Sequence, residues 1–266
     1  NVYQGSSQIA TNITETTFTV EGLETGTEYC FQVSAVNELG ESEKSDEACA
    51  TPVAIFTVEI GADQNPTSNY YFPVYDYSSY SLSQQIYTKE EIGQGNCLIT
   101  SVSFKASYGS ATTRQYEVYL KNTEQSTFES TFNGDRYIAM TSSDKVFDGS
   151  VEVGAAGNWY TIDFTTPFNY TGNNIVICVY DKTGTALYSG YHRFYTFPAT
   201  GRSLYSQGYS AYNITSLTTG SSQDYVNQIK FDGKYLSPYV DISAESIDLG
   251  TVRLGEDFFT EKPFEP

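Results

Sequence analysis

Apolar and polar positions alternate with a period of two along much of this chain. From Gln115 to Lys121, the residues Tyr116, Val118 and Leu120 fall on one side and Gln115, Glu117, Tyr119 and Lys121 on the other, the pattern of a strand with one buried face. Residues 174–181 (Asn-Ile-Val-Ile-Cys-Val-Tyr-Asp) are apolar on both parities. A strand tolerates that only when both faces are covered, so the stretch is predicted to be the central strand of a two-sheet sandwich. Further strands are predicted at 54–60 and at about 97–105, 115–121, 146–153, 159–165, 186–195, 203–206 and 225–232. They are separated by turn signals such as Asn133-Gly134, Asp148-Gly149, Gly172-Asn173-Asn174, Lys182-Thr183-Gly184 and Asp232-Gly233. Roughly eight to ten strands at this spacing suit a jelly roll or a related sandwich better than a seven-stranded one.

Composition supports an all-β chain. The sequence holds 24 Tyr and 16 Phe against a single Met, and aromatic and β-branched residues favour strands over helices. A length of 266 residues accommodates one large all-β domain plus fragments, or two ordinary domains. No apolar run approaches the roughly 20 residues that would span a bilayer, so no membrane insertion is expected. The net charge of −18, from 32 carboxylates against 14 Lys and Arg, repels phosphate backbones and makes nucleic acid an unsuitable partner. The acidity reads as a solvated, aggregation-resistant surface, with bound divalent cations as the alternative.

Residues 18–37 (Phe-Thr-Val-Glu-Gly-Leu-Glu-Thr-Gly-Thr-Glu-Tyr-Cys-Phe-Gln-Val-Ser-Ala-Val-Asn) resemble the later half of a fibronectin type III domain. The Leu-x-x-Gly-Thr-x-Tyr step precedes a strand expected to turn Tyr29, Phe31, Val33 and Ala35 inward. In that family the tyrosine ties its hydroxyl back to the backbone at a corner, and Tyr29 occupies the matching position. Residues 1–52 are thus expected to be the C-terminal part of such a domain, its earlier strands lying upstream of residue 1. Cys30 has the outward parity. A hairpin turning near Leu39 and Gly40 sets it opposite Cys49, which makes a cross-strand disulfide available, two free thiols being the other state. The bridge would indicate an oxidising compartment. No Cys-x-x-Cys pair speaks for zinc. Cys97 and Cys178 are either bridged or free and buried.

A second resemblance covers residues 55–235, within a module expected at 53–236. The strings Gln-Gln-Ile-Tyr-Thr-Lys-Glu-Glu-Ile-Gly (84–93), Tyr-Glu-Val-Tyr-Leu-Lys-Asn-Thr (116–123), Trp-Tyr-Thr-Ile-Asp-Phe (159–164) and Asn-Ile-Val-Ile-Cys-Val-Tyr-Asp (174–181) are similar to jelly-roll modules of multi-domain surface and secreted Bacteroidetes proteins, such as the adhesin regions attached to gingipain-type proteases. The resemblance implies a bacterial, secreted or cell-surface, non-catalytic module. It also implies calcium as a possible loop brace, without a ligand string to carry over. The strings Pro-Tyr-Val-Asp-Ile-Ser (238–243) and Ser-Ile-Asp-Leu-Gly-Thr-Val-Arg-Leu-Gly (246–255) make residues 237–266 resemble the beginning of an immunoglobulin-like domain. The expected order is therefore a partial fibronectin type III sandwich, a jelly-roll-like β-sandwich and the start of an immunoglobulin-like domain.

Catalytic chemistry is hard to find. The single histidine, His192, stands among tyrosines with no Gly-x-Ser-x-Gly elbow and no His-Glu-x-x-His string in the chain. A satisfied or solvent-facing histidine is the expectation, and the chain is not expected to be an enzyme. With no Asp-x-Asp-x-Asp-Gly loop, a calcium site would have to be assembled from separate acids such as Asp63, Asp76, Asp148 and Asp181. Two tyrosine sets are candidate ligand-binding surfaces, since a phenol ring can stack on a sugar or a peptide. The first is Tyr75, Tyr77 and Tyr80. The second is Tyr188, Tyr191, Tyr195, Tyr205, Tyr209 and Tyr212, partly within Gly- and Ser-rich residues 201–222 that read as loop. The competing reading of both sets is that the rings cover a sheet edge.

The functional expectation is a binding or adhesion module for a glycan or host protein, flanked by neighbouring domains of the same chain. The alternatives are an accessory domain of a secreted peptidase or glycoside hydrolase, or a structural spacer.

Overall fold

The computed structural model describes residues 1–235 except Thr16, Leu39, residues 63–66, Tyr70, Thr131 and Asn133. The expected immunoglobulin-like start at 237–266, and Asp63, lie outside the described residues. Two compact units are present, one containing Asn1–Ala54 and the other Ile55–Lys234. The fold is all-β, as the period-two pattern requires.

In the first unit the strands are β1 (Val2–Gln4), β2 (Ser7–Ala10), β3 (Tyr29–Val33), β4 (Val36–Asn37), β5 (Gly40–Glu41) and β6 (Ala48–Ala50). Four form an antiparallel sheet in the order β2-β1-β3-β6, and β4 with β5 makes a separate ribbon. The Tyr29 hydroxyl accepts a hydrogen bond from the Glu24 N–H at 3.0 Å, which fastens the corner before β3. Cys30 lies opposite Cys49 in the β3–β6 register and is joined to it by a disulfide. The inward parity of β3 is only partly buried: Phe31 is half-buried, Val33 is 52% exposed, and Ala35 lies beyond the strand and is exposed. Period two sets the side on which a residue points, but burial needs a second layer. The described residues of this unit supply only one sheet and a short ribbon.

The second unit contains β7 (Ile55–Ile60), β8 (Thr67–Asn69), β9 (Tyr80–Tyr87), β10 (Cys97–Tyr108), β11 (Thr112–Thr123), β12 (Asp135–Arg136), β13 (Lys145–Val153), β14 (Trp159–Tyr170), β15 (Asn174–Asp181), β16 (Arg193–Gly208), β17 (Thr219–Asn227) and β18 (Ile229–Tyr235), plus one α-helical turn, α1 (Lys89–Ile92), and two 3-10 turns, Ser142–Asp144 and Ile214–Ser216. The main path runs β13-β11-β15-β9-β16-β10-β18-β7, with β14 on β10, β8 and β17 on β16, and β12 on β17. β15 sits between β11 and β9, antiparallel to both. Its two parities face different layers. Val176, Cys178 and Tyr180 join Leu82, Ile86, Tyr119, Leu204 and the covering residues Phe128, Tyr137, Met140 and Ile214 in one apolar cluster. The opposite parity, Ile175, Ile177 and Val179, is equally buried and shares its face with Tyr87, whose ring meets Phe231 of β18 edge-on at 5.9 Å.

β16 departs from expectation. The sequence predicts separate strands at 186–195 and 203–206, the second inside loop-like residues 201–222, yet residues 182–192 form a loop and one strand runs from Arg193 to Gly208, taking in 203–206. The start of β16 pairs with β10 and β8 and its end with β9, so the strand passes from one part of the curled sheet to another. Its register with β17 shifts between Pro198 and Ser203, where Gly201 adopts φ +72°. A left-handed residue inside a strand bends it without ending it, which is why a glycine there imitates a loop in sequence.

Cys97 and Cys178 are free and buried. They face Tyr170 and Gln84 respectively rather than each other, and burial pushes the Cys97 thiol up to about 11.

Candidate functional site

Two loops of the second unit converge to make a pocket. One is residues 71–79, between β8 and β9; the other is residues 182–192, between β15 and β16. Each loop is tied locally. Tyr71 N–H donates to Asn69 Oδ1 at 2.7 Å and Tyr75 N–H to Ser81 Oγ at 2.8 Å. In the second loop the Asp181 carboxylate accepts from Thr183 N–H at 3.0 Å. Its other oxygen accepts from Arg114 Nε and Nη2 at 2.9 and 2.7 Å, while Arg114 Nη1 donates to the Thr185 carbonyl at 2.9 Å. This ion pair is buried at both ends.

Asp76 binds the loops to each other. Its backbone carbonyl accepts from Leu187 N–H at 2.7 Å. Its carboxylate accepts from His192 N–H at 3.0 Å and contacts His192 Nδ1 at 2.7 Å. Gly184 N–H adds a bond to the Ser79 carbonyl at 3.0 Å. His192 is fully buried, with its ring against Phe194 at 5.9 Å. A Cβ at Gly109, where φ is +117°, would stand 2.6 Å from His192 Cδ2, so a side chain there would collide with the buried ring. His192 therefore acts as the inward anchor of its loop. Tyr116 and Tyr160 are buried too, and their hydroxyls, like His192 Nε2, find no hydrogen-bond partner among the described residues. Burial pushes both phenols far up from their ordinary range.

With Asp76 and His192 turned inward, their neighbours turn outward. Tyr75, Tyr77, Tyr188, Tyr191 and Arg193 line a depression of about 480 Å³. Tyr77 lies at its centre, edge-on to Tyr188 at 5.3 Å and to Tyr191 at 5.5 Å, and 5.9 Å from Tyr75. Arg193 donates to the Tyr191 hydroxyl at 3.2 Å and lies 5.8 Å from the Tyr108 ring centroid. Tyr77, Tyr108 and Tyr188 are 41%, 52% and 68% exposed. In a chain with 32 acids, the described residues of this lining include no carboxylate and one guanidinium.

The two tyrosine sets of the sequence are thus divided differently by the fold. Tyr75 and Tyr77 join Tyr188 and Tyr191. Tyr80 leaves its set and packs with Tyr212 against the apolar cluster around Cys178. Tyr195 lies in β16 opposite Ser68, with Lys105 Nζ 5.5 Å from its ring. Tyr209 is 82% exposed in the segment after β16. Tyr205 stacks on Tyr71 at 4.2 Å and, with Tyr212, lines a second depression of about 460 Å³ bordered by Ser206, Gln207 and Ser221. Tyr212 meets Tyr180 edge-on at 6.2 Å and donates its N–H to the Tyr180 hydroxyl.

Tyr71, Tyr108 and Arg193 were not singled out by sequence. Tyr71 stands in the same aromatic-rich stretch, residues 69–80, as Tyr75 and Tyr77, and Arg193 follows His192. Tyr108 carried no local signal, because it reaches the site only through its pairing with Arg193 across β10 and β16.

Of the acids named for calcium, the described ones, Asp76, Asp148 and Asp181, are not brought together. Asp76 is held by His192 and Asp181 by Arg114 and Thr183. Asp148 is bracketed by Lys145 and Lys182, which also contact Glu117. Within the described residues, the one group of three metal-type ligands in close reach is Cys30, Glu47 and Cys49, and its two sulfurs are spent on the disulfide.

Comparisons with known proteins touch the two units unequally. Residues 2–51 match the fibronectin type III domain family. That match covers the first unit and accords with the Tyr29 corner. Among solved structures, the chain is similar to a clostridial cysteine protease, Cwp84, after propeptide cleavage, at 13% identity and a TM-score of 0.39, over 74% of this chain and 44% of that one. It is also similar to the cysteine protease and lectin-like domains of Cwp84, a surface layer associated protein of Clostridium difficile, at 13% identity and a TM-score of 0.34, over 71% of this chain and 38% of that one. The chain thus spans less than half the length of either. No curated protein matches. No helix among the described residues is long and apolar enough to cross a membrane.

Proposed function

We propose that this chain is a non-catalytic, extracellular binding module that takes a carbohydrate in the depression formed by Tyr75, Tyr77, Tyr188, Tyr191 and Arg193. The observation that carries the reading is the lining itself: four phenol rings around an arginine, Tyr77 edge-on to Tyr188 and Tyr191 and tilted by 37° to Tyr75, with no carboxylate among the described lining residues. Ring faces receive the apolar C–H surface of a sugar while phenol and guanidinium groups answer its hydroxyls. The Asp76 and Arg114–Asp181 ties hold both loops, so little ordering entropy is left to lose on binding. The only histidine is buried against Asp76, out of reach of a solvent-borne substrate, in keeping with binding rather than hydrolysis. The Cys30–Cys49 bridge and the fibronectin type III match suit a secreted, multi-domain surface protein of the kind that the Bacteroidetes adhesin modules exemplify.

The test is binding to glycan arrays and immobilised polysaccharides by the whole chain and by Tyr77→Ala and Tyr188→Ala. Both rings are well exposed, so each variant should keep its melting temperature while losing roughly ten-fold in affinity, about 1.4 kcal/mol. Wild-type binding that both variants retain would remove the pocket from the function. Capture of host proteins with no glycan bound would replace the ligand class.

A further inference from the structure

The two depressions on the second unit are joined by an unbroken series of ring contacts. Tyr205, which lines the second depression, stacks on Tyr71 with centroids 4.2 Å apart and planes 25° from parallel. Tyr71 lies 5.4 Å from Tyr75, and Tyr75 lies 5.9 Å from Tyr77 at the centre of the first depression. The series continues through Tyr191 to Tyr108 at 5.5 and 5.8 Å. The two ends differ in chemistry. The first is aromatic with a guanidinium, whereas the second carries Ser206, Gln207, Thr219 and Ser221 beside Tyr205 and Tyr212. Hydroxyls and a carboxamide can both donate and accept, which suits the hydroxyl array of a sugar and offers little to an apolar ligand.

We infer that these depressions are two subsites of one extended site, bridged by Tyr71, and that its ligand is a linear oligosaccharide lying across both rather than a single terminal sugar. The inference rests on the carbohydrate reading above. Once one sugar is seated, the next is delivered at high effective concentration along a surface that offers a ring at each step, so subsites in series multiply affinity. A lone pocket gains nothing from added sugars.

The experiment is isothermal titration of the whole chain with size ladders, from monosaccharide to octasaccharide, of chitin, β-1,4-glucan and hyaluronan. For a ladder that binds, affinity should climb at least ten-fold from the shortest to the longest member and then level off. Gln207→Ala, an exposed residue of the second depression, should lower affinity for long members several-fold and leave that for the shortest unchanged. Tyr188→Ala should lower both. If the fold of Gln207→Ala were in doubt, an unchanged melting temperature and an unchanged short-member affinity would show the first subsite intact. Equal affinity of monosaccharide and octasaccharide would overturn the extended site and leave the carbohydrate reading standing. Affinity that rises with length but ignores Gln207→Ala would also overturn it, by routing the chain elsewhere. Failure of every ladder to bind would overturn both.

Discussion

Asp76→Ala should unfold the second unit more easily and loosen its pocket in one step. The carboxylate is 1% exposed and its two contacts to His192 are equally buried. Removing it leaves the His192 backbone N–H without its acceptor, which costs about 1–3 kcal/mol, and deletes a charge-assisted contact to Nδ1 of similar size. These effects share one residue and do not simply add, so a total of about 3 kcal/mol is expected. For a unit the size of Ile55–Lys234 each kcal/mol moves the melting temperature by roughly 2–4 °C, giving a fall of about 10 °C in calorimetry. Asp76→Asn keeps an acceptor for the N–H and should lose less than half as much. Measured at a temperature where the variant is fully folded, sugar affinity of Asp76→Ala should also drop. Tyr75 and Tyr77 flank the deleted carboxylate, and Tyr191 precedes the released His192. The Leu187 tie to the Asp76 carbonyl survives the substitution, so some binding should persist. A melting temperature within about 2 °C of wild type would refute the account of Asp76 as the clasp between the loops.

Four further outcomes follow from the same contacts. Burial alone would raise the Asp148 carboxyl, but hydrogen bonds from Lys182 and Lys145 hold it below its ordinary value. A depressed carboxyl stabilises the fold above the unfolded pKa of about 3.9 and loses that contribution as pH falls through its lower folded value. Asp148→Asn should thus melt slightly below wild type at pH 7, by the equivalent of no more than about 1 kcal/mol since the group is part-exposed, and the gap should close in acid. Thiol alkylation of denatured, unreduced protein should label Cys97 and Cys178 only, with Cys30 and Cys49 appearing after reduction; labelling of all four without reductant would contradict the bridge. Gly109→Ala should lower the melting temperature by several degrees through its collision with His192, whereas Tyr209→Ala, at an exposed ring, should leave it unchanged within the equivalent of about 0.5 kcal/mol. Because Asp76, Asp148 and Asp181 already have protein partners, EDTA should shift neither the melting temperature nor glycan binding; a clear fall on chelation would restore a calcium site.

What the sequence determined by itself is local. The alternation at 115–121 and the two-sided apolar run at 174–181 required strands, and the second required cover on both faces, because side-chain direction follows from backbone period alone. The Leu-x-x-Gly-Thr-x-Tyr step likewise foretold the Tyr29 corner, whose donor, Glu24, is only five residues away. The site was legible in fragments. Its tyrosines were visible in two runs, but the grouping of Tyr75 and Tyr77 with Tyr188 and Tyr191, and the departure of Tyr80 and Tyr195, were decided by tertiary structure. Asp76 and His192 stand 116 residues apart, and no local pattern marks either as the other's partner. Tyr108 meets Arg193 only through the register of β10 on β16. Strand direction is a property of neighbouring residues, whereas strand partnership is a property of the whole sheet. A surface made where two distant loops are clasped together is therefore written in no single stretch of the chain.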